Sequence, residues 1–130
     1  MDDLLKNGYF KMWYEDEVLV VDFVQEHYNY EMLDVTIKKR LEITKGKKVL
    51  MLSDISKIKS FSLRARQRLF QKDTATGCIA VAAIVKTKTQ EVLFNFTTSI
   101  YKPQVPTKMF RDKEKARQWL LSFKKKIHGC

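Results

Sequence analysis

The sequence predicts an α/β fold: a single mixed, mostly parallel sheet with an N-terminal antiparallel hairpin and four helices. Three observations carry this expectation. Two uninterrupted apolar runs, Val49-Leu50-Met51-Leu52 and Cys78-Ile79-Ala80-Val81-Ala82-Ala83-Ile84-Val85, have the character of strands covered on both faces. Segments with apolar residues three and four apart alternate with these runs, as helices crossing over a parallel sheet would. Two β-prone runs rich in aromatic and branched residues open the chain, on either side of the acidic tip Glu15-Asp16-Glu17.

In the opening pair, Phe10, Met12 and Tyr14 share one face and Tyr9, Lys11 and Trp13 the other, while Val18 and Val20 alternate with Leu19, Val21 and Phe23. Both faces of this hairpin are substantially apolar, so helices are expected on each. Asn29 is placed to cap a helix whose buried stripe is Tyr30, Leu33, Ile37 and Leu41. Lys38, Lys39 and Arg40 fall outside that stripe, toward the end where cations favour the macrodipole, and Gly46 supplies a left-handed stop. The strand at 49–52 gives way to Ser53-Asp54. A short crossing through Ile55, Ile58 and Phe61 then leads to Ser62, the N-cap of a helix bearing Arg64, Arg66 and Arg68. After the turn-forming 73–77 segment and the second apolar strand, Thr87 and Gln90 make a capping box. The helix that follows has no charge after Glu91 and carries Val92, Leu93, Phe94, Phe96, Ile100 and Tyr101 around much of its circumference. Residues 107–110 are β-compatible, and Asp112 caps a last helix with the stripe Ala116, Trp119, Leu120 and Phe123.

A chain of 130 residues, 45% hydrophobic, is expected to form one domain over residues 1–130 with a packed core. No apolar segment approaches the roughly 20 residues needed to span a bilayer, and the first residues are acidic where a signal peptide is basic, which predicts a cytoplasmic protein with no transmembrane segment. Two cysteines, Cys78 and Cys130, make no disulfide framework; Cys78 reads as a small buried hydrophobe. The net charge is +10, unevenly spread: nine acids and two bases in residues 1–35 give 2 − 9 = −7, which leaves +17 on the rest. Such asymmetry fits an anionic partner, or two ends that neutralise one another on folding.

Catalytic signatures are absent. There is no nucleophile elbow, Walker-type phosphate loop or dinucleotide glycine pattern, and His27 and His128 have no ligand-spaced partner. No catalytic residue, metal site or cofactor is therefore expected. The junction outside the carboxyl end of a strand is where α/β sheets usually bind ligands, which makes Asp54, Ser60, Ser62, Arg64 and Arg68 the candidate interaction site. Arg64 and Arg68 lie one turn apart and are both expected at the surface, where two guanidinium forks could hold a phosphate or carboxylate. Asp54 is explained equally well by accepting backbone N–H groups in its own turn. Phe94, Phe96 and Tyr101 mark a candidate association helix, suited either to homodimerisation or to burial on several sides.

The order of elements, the phrase VLMLSDISKIKSFSLRARQRL and the ending MFRDKEKARQWLLSF resemble small bacterial proteins of the STAS superfamily, the anti-sigma-factor antagonist-like fold. The likeness is closest to stand-alone STAS-like domains that share a short strand, a capped helix and an Ala-x-x-Trp-Leu pattern, here Ala116, Trp119 and Leu120. It implies a non-enzymatic regulatory or protein-interaction module with a protein partner. In the antagonist branch a serine in an Asp-Ser-Ser-Gly motif is phosphorylated by a partner kinase. Here the corresponding stretch reads Lys59-Ser60-Phe61-Ser62, without the acid or the glycine. Two other roles stand beside the interaction module. One is anion binding (nucleic acid, lipid headgroup or phosphorylated metabolite) through the basic helix and C-terminal surface, although no nucleic-acid motif accompanies it. The other is an apolar-ligand role, as in a related fold family that binds lipids in a cavity beneath its sheet.

Overall fold

The computed structural model describes residues 5–6, 8–100 and 102–124; Tyr101, the lysines at 125 and 126, His128 and Cys130 lie outside the described residues. In chain order the elements are β1 (Leu5–Lys6), β2 (Phe10–Glu15), β3 (Val18–Phe23), β4 (His27–Tyr28), α1 (Tyr30–Thr44), β5 (Val49–Asp54) and β6 (Ser60–Phe61). They continue with α2 (Leu63–Leu69), a 3₁₀ turn (Lys72–Ala75), β7 (Cys78–Ile84), α3 (Lys88–Ile100), β8 (Thr107–Phe110) and α4 (Lys113–Leu121). Among the described residues the main sheet runs β1-β2-β3-β5-β7-β8, antiparallel through β3 and parallel from β3 onward. This is the expected mixed sheet. Two features were not foreseen: the short strand β1, and a separate parallel ladder of β4 with β6 that pairs His27 with Ser60 and Tyr28 with Phe61.

Alternation along the central strands sends side chains to two cores. Leu19, Val21 and Val49 face α1 and α2, where Leu33, Ile37 and Ala65 close the layer. Val18, Val20, Leu50 and Leu52 face α4 through Ala116 and Leu120. On β7 the small side chains of Ala80 and Ala82 let α4 sit close. A register shift between Val49 and Leu50 opposes two residues of β5 to three of β7, so Cys78 and Val81 reach the α1 side although they are three apart. Just before β7, Gly77 has φ +78°, and a Cβ there would meet the Lys47 carbonyl oxygen at 3.0 Å, so this turn requires glycine.

The expected caps form. Asn29 accepts from Met32 N, Ser62 from Ala65 N, and Asp112 from Glu114 N and Lys115 N. Helix α1 closes on Lys45, itself left-handed at φ 50°, followed by Gly46 at φ 81°. The acidic hairpin tip is neutralised by α4 and the residues just after it: Arg117 pairs with Glu15 and Asp16, each at 3.1 Å, and Lys124 pairs with Glu17 at 3.0 Å. The charge asymmetry of the chain is thus partly internal.

Two arginines depart from expectation. Arg40, read as a cation near the helix end, is buried, and its guanidinium donates to the Thr74 and Thr76 carbonyls at 2.6 and 2.7 Å. Arg68, expected at the surface beside Arg64, is only 1% exposed. It donates from Nε to Asp34 (3.0 Å) and from both terminal nitrogens to Asp73 (2.7 and 3.0 Å), while Thr74 Oγ1 donates back to its carbonyl. The cause is tertiary. The 3₁₀ turn folds back on α2 and brings Asp73 to the face that a lone helix would show to water.

The Asp73 carboxyl is held below its usual value, first by the Arg68 hydrogen bond; Asp34 is held down by Lys38 and then by Arg68. A carboxylate with a lowered folded-state pKa contributes stability above its unfolded value of about 3.9, and that contribution is lost as pH falls through the depressed value. The Asp73 side chain is 47% exposed, so water can take up part of what Arg68→Gln removes, and the substitution should cost about 1–3 kcal/mol near neutral pH, read as a lower urea midpoint at unchanged slope. The difference from wild type should shrink below about pH 4. Equal midpoints at neutral pH would contradict the structural role of Arg68.

Candidate functional site: the cleft beneath helix α3

Helix α3 stands off the sheet, with little close backbone contact to it. Between its inner face, α1, α2 and the sheet is a partly open cleft of about 610 Å³, lined mainly by apolar atoms. The floor beneath α3 carries short side chains, Ser53 and Ala83, together with Val81 and Met51. Leu33 and Ile37 of α1 and Leu69 of α2 form the walls, and Leu93, Phe94 and Thr97 form the roof. Small residues on the floor opposite a helix with large ones leave the space that a layer of longer side chains would fill.

The roof is pinned at its N-terminal end. Thr87 Oγ1 accepts from Gln90 N at 3.1 Å, and Gln90 Oε1 accepts from the backbone N–H of Lys86 and Thr87. Gln90 Nε2 reaches across to the carbonyls of Ser56 (2.9 Å) and Ile58 (2.7 Å), tying the β5–β6 loop to the helix. Glu91 pairs with Arg111 beyond β8. At the other end Pro103 and Val105 line the cleft, and Val81 N donates to the Pro106 carbonyl at 2.9 Å. Outward, α3 exposes Val92 and Phe96, at 57% and 56%.

The residues singled out from the sequence have separate tasks. Asp54 Oδ1 accepts from Ser56 N at 3.0 Å in its own turn. Ser60 Oγ lies 2.6 Å from His27 Nδ1 on the short ladder, and Ser62 is a helix cap. Arg64 is exposed, with its guanidinium 4.7 Å from the Tyr30 ring centroid, whereas Arg68 is consumed by Asp34 and Asp73. No side-chain hydrogen bond among the described residues links one of these five to another. Phe94 points into the cleft and Phe96 away from it.

Arg66 and Gln90 are what sequence reasoning missed. Gln90 was legible as a cap, but not as a strap. Arg66 lines the cleft, with its Nε buried and lacking an acceptor among the described residues. Nothing local distinguishes it from Arg64, because the difference is made by the tertiary cleft that Arg66 lines. Burial pushes the Cys78 thiol up, which keeps it neutral and unreactive. Among the described residues no group of three or more His, Cys, Asp or Glu side chains could hold a metal ion, and no helix is long and apolar enough to cross a membrane.

Sheet order and helix placement give an α/β domain with a SpoIIAA-like fold, the fold that the STAS resemblance implied. The chain belongs to the family described as Domain of unknown function (DUF7793), whose model matches residues 12–124. Among solved structures it is similar to an uncharacterized protein of the DUF3478 family with a SpoIIAA-like fold from Shewanella loihica PV-4. The TM-score is 0.61 at 20% identity, over 85% of this chain and 91% of that one. At that identity the likeness is one of fold. No curated protein matches the chain.

Replacing Gln90 with leucine leaves the Ser56 and Ile58 carbonyls without their donor, a loss of about 1–3 kcal/mol for the contact. Amide exchange should then speed up in α3 and the 55–58 loop while the β3–β5–β7 core stays protected. Unchanged protection in α3 would show that the strap does not hold the roof.

Proposed function

We propose that this protein is a non-enzymatic regulatory module of STAS-like type, one domain over residues 1–130, that works by binding a small apolar molecule in the cleft beneath α3. The observation that carries this reading is the cleft itself. Its volume of about 610 Å³ lies in the range of small-molecule sites, and its lining is predominantly apolar. A cofactor-independent catalyst would need an activated acid, base or nucleophile on the cleft wall, whereas Arg40, Lys57, Lys59 and Gln90 there serve as straps and pairs.

Regulation follows from the position of α3. The helix that roofs the ligand also presents Val92 and Phe96 outward, so occupancy and the surface offered to a protein partner are properties of the same element. A second copy of the chain could read that surface as well as a different protein. The alternative of an anion surface on Arg64 and Arg68 loses support, because Arg68 already has two carboxylate partners.

The test is binding of Nile red, a neutral apolar dye. Ala83, only 4% exposed on the floor, accepts a larger side chain only by filling the cleft. Ala83→Phe should weaken dye binding by about tenfold or more while the melting temperature holds or rises, since packing into the cleft replaces empty space. A folded Ala83→Phe protein that binds the dye as well as wild type would remove the cleft as the site. Thr97→Phe, which fills from the roof, should act in the same direction.

A further inference from the structure

The cleft is apolar in its walls but one-sided in its charges. Five cations line it, Arg40, Lys57, Lys59, Arg66 and Lys86, against one carboxylate, Glu26. Three of the five are matched within the fold. Arg40 donates to the Thr74 and Thr76 carbonyls, Lys57 pairs with Asp22 at 3.5 Å, and Lys59 pairs with Glu26 at 3.3 Å. Lys86 is exposed to water. Arg66 differs from all of these, because its Nε is buried without an acceptor among the described residues. A desolvated guanidinium N–H is costly to leave unmet, and its planar fork matches a carboxylate through two parallel hydrogen bonds.

We infer that the cleft takes an amphiphile with one aliphatic tail and one carboxylate head, bound by its head to Arg66. The tail lies over Val81 and Ala83 beneath Leu93 and Phe94, and the head accepts from the terminal N–H groups of Arg66, whose side chain has no hydrogen bond or ion pair among the described residues. A single unmatched guanidinium at the cleft wall calls for a single negative charge. The second charge of a phosphate monoester would have to be met by Lys86, at the cost of drawing that side chain out of water. On the roof, Thr98 Oγ1 is turned back to the Phe94 carbonyl at 3.0 Å, so this threonine's hydroxyl is already satisfied within the helix. This assignment rests on the cleft being the ligand site, as proposed above, and adds the chemistry of the ligand.

The experiment is displacement of Nile red by dodecanoate, decanoate, dodecanol and dodecyl phosphate, on wild type and on Arg66→Gln and Arg66→Lys. Wild type should hold dodecanoate about tenfold or more tighter than dodecanol, the size of a charge-assisted hydrogen bond, and each CH₂ removed from the carboxylate should weaken it about fourfold. Arg66→Gln should abolish the preference for carboxylate over alcohol while leaving dodecanol within about twofold, and Arg66→Lys should keep part of it. A purely structural arginine would not move that ratio. Equal binding of dodecanoate and dodecanol by wild type overturns the head-group assignment and leaves the cleft reading standing; this comparison needs no variant to fold. Dodecyl phosphate binding about tenfold tighter than dodecanoate overturns the carboxylate in favour of a phosphate head. Failure of every amphiphile, together with Nile red binding indifferent to Ala83→Phe, overturns both readings.

Discussion

Arg68 joins three segments that sequence order keeps apart. Its guanidinium sits in the interior of the helical layer, with Asp34 of α1 on one edge and Asp73 of the 3₁₀ turn on the other. A charge removed from water is tolerable only when paired and hydrogen-bonded on all sides, so once α2 packs, Arg68 compels both carboxylates to come to it. Arg40 repeats the arrangement one layer away, using the Thr74 and Thr76 carbonyls. Together the two arginines clamp residues 73–76 against α1 and α2. That clamp fixes where β7 begins and how far the helical layer extends over the sheet. The cleft is the space beyond its edge.

The opposite face of the sheet is built by other means. There α4 packs through Ala116 and Leu120 onto alternate residues of β3, β5 and β7, with Trp119 between Phe110 and Phe123 at its rim. Its cations meet the acidic hairpin tip at the protein surface, where ion pairs contribute at most about 1 kcal/mol each. One face is thus a closed hydrophobic contact, and the other is held by buried polar linkage and left partly unfilled. The unfilled space lies on the second face, where Leu33, Ile37 and Ala65 pack over part of the sheet and the buried arginines hold the rest of the layer.

This division explains what the sequence disclosed. The apolar runs of β5 and β7, the hairpin, and the caps Asn29, Ser62, Asp112 and Thr87 with Gln90 are local signals, and each matches its element. Arg40 and Arg68 carry no local mark of burial. On their own helices they fall where solvated cations belong, and only the return of the 3₁₀ turn changes their surroundings. The β4–β6 ladder is two residues long on each side, too short for any periodicity to show. The cleft was invisible for a related reason. Phe94 and Phe96 look alike along the chain, and which of them faces inward depends on how α3 is set down over Ser53 and Ala83.

Magnitude bears on whether such a cleft could stand as an empty, sealed void. At about 24 cal/mol per Å³, a closed apolar cavity of 610 Å³ would cost on the order of 15 kcal/mol, as much as the whole stability of an ordinary domain, about 5–15 kcal/mol. The fold escapes that cost because the cleft is partly open, so α3 is a roof tied at its N-terminal end rather than a helix sealed onto a core. An element held in this way is the one whose position a ligand can change at least expense, since few buried contacts must break for it to move. Any molecule that fills the cleft only with α3 in place stabilises that arrangement by about 2.7 kcal/mol at a hundred times its dissociation constant. That is comparable to the buried hydrogen bonds through which Gln90 ties the roof to the 55–58 loop, so occupancy and strap act on α3 with similar force.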